Sequence, residues 1–276
     1  MSFSINTNAG AFVALQNLSS TQNELGVVQN RINTGLAVSN AKDNSAVFAI
    51  AQNLRADVGG LNAVKQSIDR GTSTLDVARS AAESISDILI QLKEKAVAAS
   101  DEGLDASSRS ALASDFNALR DQIGIIVNNA SFNGSNLIDG AGNGLKVLLS
   151  DDGSQSFSVA GQDLTLTSDS AVGITATTSF GTASEANALI STIESGLTSV
   201  NNVLGSFGSA QRTLETQSEF VSKLSDTIQT GIGNLVDADL ARESARLQAL
   251  QVKQQLGLQA LSIANQAPQT VLGLFR

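Results

Sequence analysis

Apolar residues recur along this chain at helical spacings, and in two long segments one falls on every seventh position. Between Val47 and Ala99, one core position is filled by Val47, Leu54, Leu61, Ile68, Leu75, Ala82, Leu89 and Ala96. The other is filled by Ile50, Val64, Ala78, Ile85, Leu92 and Ala99, with Asp57 and Gly71 as misfits. A 3.5-residue period sustained for about eight heptads predicts a long helix packed along a left-handed seam. Gly59-Gly60 lie on the outer side of that seam; each weakens a helix by roughly 1 kcal/mol against Ala and is a place for a bend. After a break at Asp101-Glu102-Gly103, Leu112, Phe116, Leu119, Ile123 and Val127 predict a shorter helix over Ser107 to Asn128. Ile193, Val200, Phe207, Leu214, Val221, Ile228 and Leu235 then step by seven. Repeat length and connectivity predict an elongated, antiparallel, coiled-coil-like bundle.

Between these segments, residues 129–182 change texture to short runs among Gly, Asn, Ser and Thr. Leu145–Leu149 and Ser154–Val159 flank Asp151-Asp152-Gly153 and predict a β-hairpin; Leu164-Thr165-Leu166-Thr167 alternates as a third strand. The stretch from Thr165 to Ser184 reads as exposed loop. At the amino end, Phe12, Leu15, Leu18, Leu25, Val28 and Ile32 give an amphipathic helix over Ala9 to Asn33. An irregular connector follows, ending near a cap at Asn44 or Ser45.

The run from Asp237 to Asn265 is unlike the rest. Wound at about 100° per residue, it places Leu240, Leu247, Leu250, Leu258 and Leu261 on one stripe. Ala249, Val252, Leu256 and Ile263 form a second stripe roughly opposite. Arg242, Arg246 and Lys253 occupy one flank; Gln248, Gln251, Gln255 and Gln259 occupy the other. A surface helix of a lone subunit needs one apolar stripe. Two stripes require cover from both sides, so the chain ends are expected to be largely disordered in the lone subunit and to fold on association. Repeat length and connectivity bring the two ends together. The expected organisation is therefore mainly α: an amino-terminal helix (1–33), a connector (34–44), a helical segment (45–128), a β-hairpin region (129–182), a second helical segment (183–235) and a carboxy-terminal helix (236–276) paired with the first.

Composition removes whole classes of chemistry. The chain has 276 residues with no Cys, His, Trp or Tyr, and one each of Met and Pro. Thiolate catalysis, zinc sites and imidazole acid–base chemistry are thereby excluded. No disulfide is available, and no nucleophile is paired with a base, so no cofactor is expected and an enzyme is the weakest option. The formal net charge of −9 and the absence of a basic stripe argue against nucleic acid. Ten scattered Phe make no base-stacking platform. The first charged residue is Glu24 and the first basic one Arg31. A signal-peptide n-region is therefore missing, and Ala11–Leu15 is too short an apolar run to span a membrane.

Two acidic groups invite a metal and do not fit one. Asp237, Asp239 and Glu243 sit where the helix macrodipole favours carboxylates, with no His or Cys beside them. Asp151-Asp152-Gly153 lacks the spaced acids and closing Glu of a calcium loop and reads as a turn.

Several motifs, in order and at matching distances from both ends, resemble those of bacterial flagellins. They are Asn6-Thr7-Asn8, Ile32-Asn33-Thr34-Gly35-Leu36, Asn40-Ala41-Lys42-Asp43-Asn44, Phe132-Asn133-Gly134-Ser135-Asn136-Leu137, and Ala264-Asn265-Gln266-Ala267-Pro268-Gln269 near Val271-Leu272. The resemblance spans roughly Met1–Leu137 and Ala183–Arg276; a large variable outer domain is missing.

The resemblance implies a structural subunit of the flagellar filament, exported unfolded by the flagellar type III route and assembled at the tip under a cap. Its partners would be other flagellin subunits in a homopolymer or mixed filament, the hook-associated junction and cap proteins, and the export machinery with an export chaperone. In that family the terminal helices form an inner tube around a channel and the heptad helices the next shell. The assembly interface would then be Phe12, Leu15, Leu18, Leu25, Val28 and Ile32 with Leu240, Leu247, Leu250, Val252, Leu256, Leu258, Leu261 and Ile263. Gln248, Gln251, Gln255 and Gln259 would line the channel. Some members are sensed by an animal innate receptor through a stretch matching Ile90–Val97. Here Gln91 and Lys93 replace two Arg, Lys95 replaces an apolar neighbour and Glu94 is kept; losing a guanidinium fork implies weak recognition. A hook–filament junction protein shares similar ends but usually has a larger middle. A secreted membrane-active helical protein could also carry two apolar stripes, and would permeabilise vesicles as a monomer.

Overall fold

The computed structural model describes the backbone of residues 7–273 and the side chains of residues 7–266. Asn6 and the side chains of Ala267, Pro268, Gln269, Val271 and Leu272, which carry part of the family resemblance, lie outside the described residues. The protein is mainly α. In chain order come α1 (Ala9–Thr34), α2 (Ser45–Ala99), α3 (Ala106–Asn129), β1 (Ser131–Phe132), β2 (Ser135–Asn136), β3 (Leu145–Leu148), β4 (Ser156–Val159), α4 (Ala183–Val236) and α5 (Leu240–Gly273). Two compact units divide it: residues 57–226 form one, and residues 1–56 with 227–276 the other.

In the unit of residues 57–226, the heptad pattern is the core. From Leu61 to Ala99 every expected seam position of α2 is buried, Gly71 included. On α4, Ile193, Val200, Phe207, Leu214 and Val221 are buried likewise. The Gln211 side-chain amide donates to Asp76 Oδ1 (3.2 Å), and Lys93 Nζ pairs with Glu194 Oε1 (2.8 Å). Moving up α2 from Asp76 to Lys93 moves down α4 by the same number of residues, so the two run antiparallel. The pattern holds less well beyond this stretch: Ile50 and Leu235 are exposed. The buried face shifts there by one position, to Ala51 on α2 and to Ile232 and Val236 on α4.

Caps fix the helix ends. Asn44 Oδ1 accepts the Val47 N–H at 3.2 Å and caps α2, and Asp105 caps α3. At α4, Thr182 Oγ1 accepts from the Glu185 N–H, while Glu185 Oε2 accepts from the Gly181 and Thr182 N–H groups. This is a reciprocal capping box. The backbone donors of Gly181 and then Thr182 hold the Glu185 carboxyl below its ordinary value.

The β elements seat on small residues of α2. β3 and β4 form the expected antiparallel hairpin, pairing Leu145 with Val159 and Leu148 with Ser156. A Cβ on Gly71 would lie 2.5 Å from Val147 Cγ2, and one on Gly60 would lie 2.7 Å from Asp151 Cβ. Between them, buried Ser67 accepts a hydrogen bond from the Leu148 N–H at 3.2 Å. The misfit at Gly71 and one of the two outer glycines are thus the bed of the hairpin, and α2 runs unbroken through both. A second hairpin, β1–β2, turns at Asn133 (φ 50°) and Gly134 (φ 77°). Two successive left-handed residues match the type I′ turn that Asn-Gly favours. Asn136 follows, donating to the Val127 carbonyl at the end of α3 (2.7 Å).

Two expectations for the middle fail. Residues 164–167 are not a strand: only Asp163 makes an isolated bridge, to Asp139. Asp163 Oδ1 accepts from the Thr165 N–H and hydroxyl, a local turn that competes with ladder pairing. Nor is 165–184 simply exposed loop, since Val172, Ile174 and Phe180 are buried. Phe180 meets Phe116 edge-on with ring centroids 5.2 Å apart. Buried Arg120 donates to the Thr178 carbonyl at 2.6 Å and to Asp121 Oδ1. Those contacts pin irregular backbone to α3.

Candidate functional site

α1 and α5 pack against each other in antiparallel fashion within the unit formed by the two chain ends. On α5 the sheltered positions are 243, 247, 250, 254, 257, 261 and 264, alternating by four and three. On α1 they include 11, 14, 18, 21, 25, 28 and 32, alternating by three and four. This is a coiled-coil seam. Leu25, Val28 and Leu250 form its buried centre, with Ile32 and Leu247 packed against them. Farther toward Asn8, side chains shrink: a Cβ on Gly257 would lie 3.4 Å from Leu18 Cδ1, and Ala11 and Ala14 continue the seam.

Polar groups secure both ends of the pair. Asn8 Oδ1 accepts the Ala11 N–H and caps α1, while its amide donates to the Ala264 carbonyl at 2.7 Å. Motifs from opposite chain ends therefore touch. At the other end Gly35, left-handed at φ 72°, closes α1. Ala238 N–H donates to the Gly35 carbonyl (2.9 Å), and Ala37 N–H to the Val236 carbonyl (2.7 Å). Asp239 Oδ1 accepts from Ala241 and Arg242 N–H groups and caps α5. Arg31 Nη1 meets Glu243 Oε1 at 3.0 Å, with side chains 29% and 12% exposed. Arg31 Nε and Glu243 Oε2 are buried without partners. In the connector, the Ser39 N–H and hydroxyl and the Asn40 N–H converge on Asp43 and lower its pKa.

Pairing leaves much apolar surface uncovered, and not where the two-stripe expectation divided it. Leu18, Leu25, Val28 and Ile32 enter the seam, but Phe12 is 66% and Leu15 54% exposed. The alternation runs through Ala11 and Ala14 instead, whose small side chains carry little hydrophobic signal. On α5, Leu247, Leu250 and Leu261 enter the seam, while Leu258 is exposed because it sits toward one side of the contact line. Leu240, one heptad before Leu247, is exposed because it starts α5 level with the end of α1. Val252, Leu256 and Ile263, on the opposite stripe, are exposed as well. Gln248, Gln251, Gln255 and Gln259 are all exposed on one flank. Nothing in the hydrophobic pattern marked Gly257, Arg31 or Glu243 as seam residues; the alternating spacing does, once Leu250 is placed.

Of the receptor-like stretch, Gln91 and Glu94 are exposed and Lys93 is tied to Glu194. Among the described residues there is no cluster of potential metal ligands, and no helix is long and apolar enough to cross a membrane. What sets the α1–α5 pair apart among the described residues is the apolar surface left exposed along both helices.

Residues 5–143 match the family described as the bacterial flagellin N-terminal helical region, and residues 190–275 its C-terminal helical region. The chain is 53% identical to flagellin FljM of Caulobacter vibrioides, over 99% of this chain and 98% of that protein. It is 36% identical to a flagellin of Brucella melitensis, over 99% of each. Among solved structures, one assigned as a flagellar hook-associated protein from Vibrio parahaemolyticus aligns with a TM-score of 0.59 at 13% identity, covering 71% of this chain and 100% of that one. That likeness is one of fold alone.

Proposed function

Because the chain belongs to the bacterial flagellin family, and is a structural filament subunit rather than an enzyme, we propose that it polymerises through the uncovered sides of α1 and α5. Its partners in the filament are other flagellin subunits, and the filament belongs to an extracellular flagellum. The observation that carries the proposal is the set of exposed Leu, Val, Ile and Phe side chains left on two helices that already shelter one seam each. Apolar surface of this kind on a soluble subunit marks an interaction site.

In this proposal residues 1–33 and 236–276 supply the inner-tube helices, 34–44 the connector, 45–128 and 183–235 the shell helices, and 129–182 the β-hairpin region. Gln248, Gln251, Gln255 and Gln259 line the channel, where an uncharged face holds a passing chain weakly. Export proceeds through the type III route, assisted by an export chaperone, and growth occurs between junction and cap proteins of the hook-associated kind. Weak recognition by the animal receptor follows from Gln91 and from the engagement of Lys93 by Glu194.

Seeded elongation tests the surface. Leu258→Asp places a charge on an exposed apolar site without touching the seam, and should stop growth on filament seeds. The same subunits should leave lipid vesicles intact, whereas a membrane-active protein would release their contents. Normal growth of the Leu258→Asp subunit would refute the assignment.

A further inference from the structure

The seam between α1 and α5 has an unusual distribution of side-chain size. Its middle holds Leu and Val, but one layer sets Leu18 against Gly257 and the layer nearest the connector sets an ion pair. A heptad seam of similar apolar residues fits almost as well after a slip of one repeat, because the stripe still faces the partner. Steric holes and buried polar groups are what distinguish one register from the next. Sliding α5 by one heptad toward the amino end of α1 moves it about 10 Å and sets Leu18 against Leu250. Glu243 then faces Leu25 and loses Arg31. Sliding it the other way also separates the ion pair, which leaves two charges in sheltered positions.

The backbone bonds from Gly35 and Ala37 to Val236 and Ala238 join the helices at the connector. A slip of one heptad breaks them, yet main-chain donors and acceptors recur at every residue and can re-pair, whereas side-chain shape and charge cannot. The selection falls to residues whose shape or charge fits one register alone. Arg31 and Glu243 show such one-sided fit: a single bond at 3.0 Å satisfies one atom of each, while Nε and Oε2 remain buried and unpaired. The pair is poor glue and a good gauge.

We propose that Leu18 with Gly257, and Arg31 with Glu243, are positioning residues that select the heptad register of α1 against α5. Register sets the relative height of the exposed apolar side chains on the two helices, and so the surface offered to a neighbouring copy. The last clause rests on the assembly function proposed above; the selection of register does not.

The chain contains no Cys, so cysteine cross-linking in the full chain gives a clean test. Thr21→Cys with Gln254→Cys reports the native layer, and Thr21→Cys with Leu247→Cys reports the slipped one. The measurement is made on free subunits and on seeded filaments. Gly257→Leu should cut the native link at least about tenfold, equivalent to about 1.4 kcal/mol, and raise the slipped one. Adding Leu18→Ala should restore the native link by exchanging the large and small partners. Gly257→Ala should leave it unchanged, since the new Cβ lies at ordinary contact distance, 3.4 Å from Leu18 Cδ1. Arg31→Glu and Glu243→Arg should each slow elongation, and the double exchange should recover it. The proposal is overturned if Gly257→Leu keeps the native link, if Leu18→Ala fails to restore it, or if the parent pair never links. Normal growth of Leu258→Asp would instead remove the assembly function and leave the register result standing.

Discussion

Shortening two exposed side chains of α5 gives the sharpest quantitative test of the assembly surface. Leu258 is 52% and Ile263 70% exposed in the subunit. Truncation to Ala removes three carbons from each, about 2.4 kcal/mol at about 0.8 kcal/mol per buried CH2. Only the part that neighbours still have to cover counts toward elongation: about 1.2 kcal/mol for Leu258 and about 1.7 kcal/mol for Ile263. If both become fully covered, the double variant loses about 2.9 kcal/mol per added subunit, which raises the critical concentration about a hundredfold. Ala is the strongest helix former, so the loss cannot come from a weakened α5. Sedimentation of seeded mixtures across subunit concentration measures the critical value directly. Leu250→Ala serves as the contrast: that side chain is 5% exposed, so its loss loosens the α1–α5 pair inside the subunit. A double variant whose critical concentration stays within about threefold of the parent, a difference of under about 0.7 kcal/mol, would show that α5 does not meet its neighbours through these sides.

Other expectations concern folding. Gly71→Ala forces a Cβ against Val147 Cγ2; overpacking outweighs the gain in helix propensity, for a net loss of about 1–2 kcal/mol in denaturant titration. Gly59→Ala, with nothing within 4 Å, should stabilise by about 0.5–1 kcal/mol, and equal signs for the two would refute the hairpin seat. The Glu185 carboxyl titrates lower in the folded chain than its ordinary 4.5. Its capping contribution is therefore present above that ordinary value and lost as pH falls through the lowered one. NMR titration should show the depressed midpoint, and Glu185→Ala should speed amide exchange at the start of α4 at neutral pH. In free subunits, amides of α1 and α5 should exchange faster than those of Leu75–Ala99 and slow on assembly; equal protection in the free state would contradict the dependence on neighbours.

The heptads made most of the helical core legible, because burial on both long helices follows the seven-residue step from Leu61 to Ala99 and from Ile193 to Val221. Gly71 looked like a flaw in that pattern because periodicity scores a residue by its own hydrophobicity, not by what rests on it. Neither the Thr182–Glu185 capping box nor the Asn133-Gly134 turn was among the elements expected from the sequence, although both are local signals that act within four residues. The packing of 164–180 was not: Asp163 diverts the backbone through its own side chain, and Arg120 reaches it from a helix far away in sequence. At the terminal helices, the excess of apolar faces was visible, but the division of leucines between seam and surface was not. It turns on Ala11, Ala14 and Gly257, residues too small to register on a hydrophobic scale.

Those small residues also make the terminal helix pair mechanically uneven. Tension applied at the tips far from the connector meets Ala11, Ala14 and Ala264 first, with Leu261 the single large side chain among them, and parts the helices one thin layer after another. A load applied lengthwise meets the Leu25–Leu250 block and the ion pair together, and must shear all of them at once.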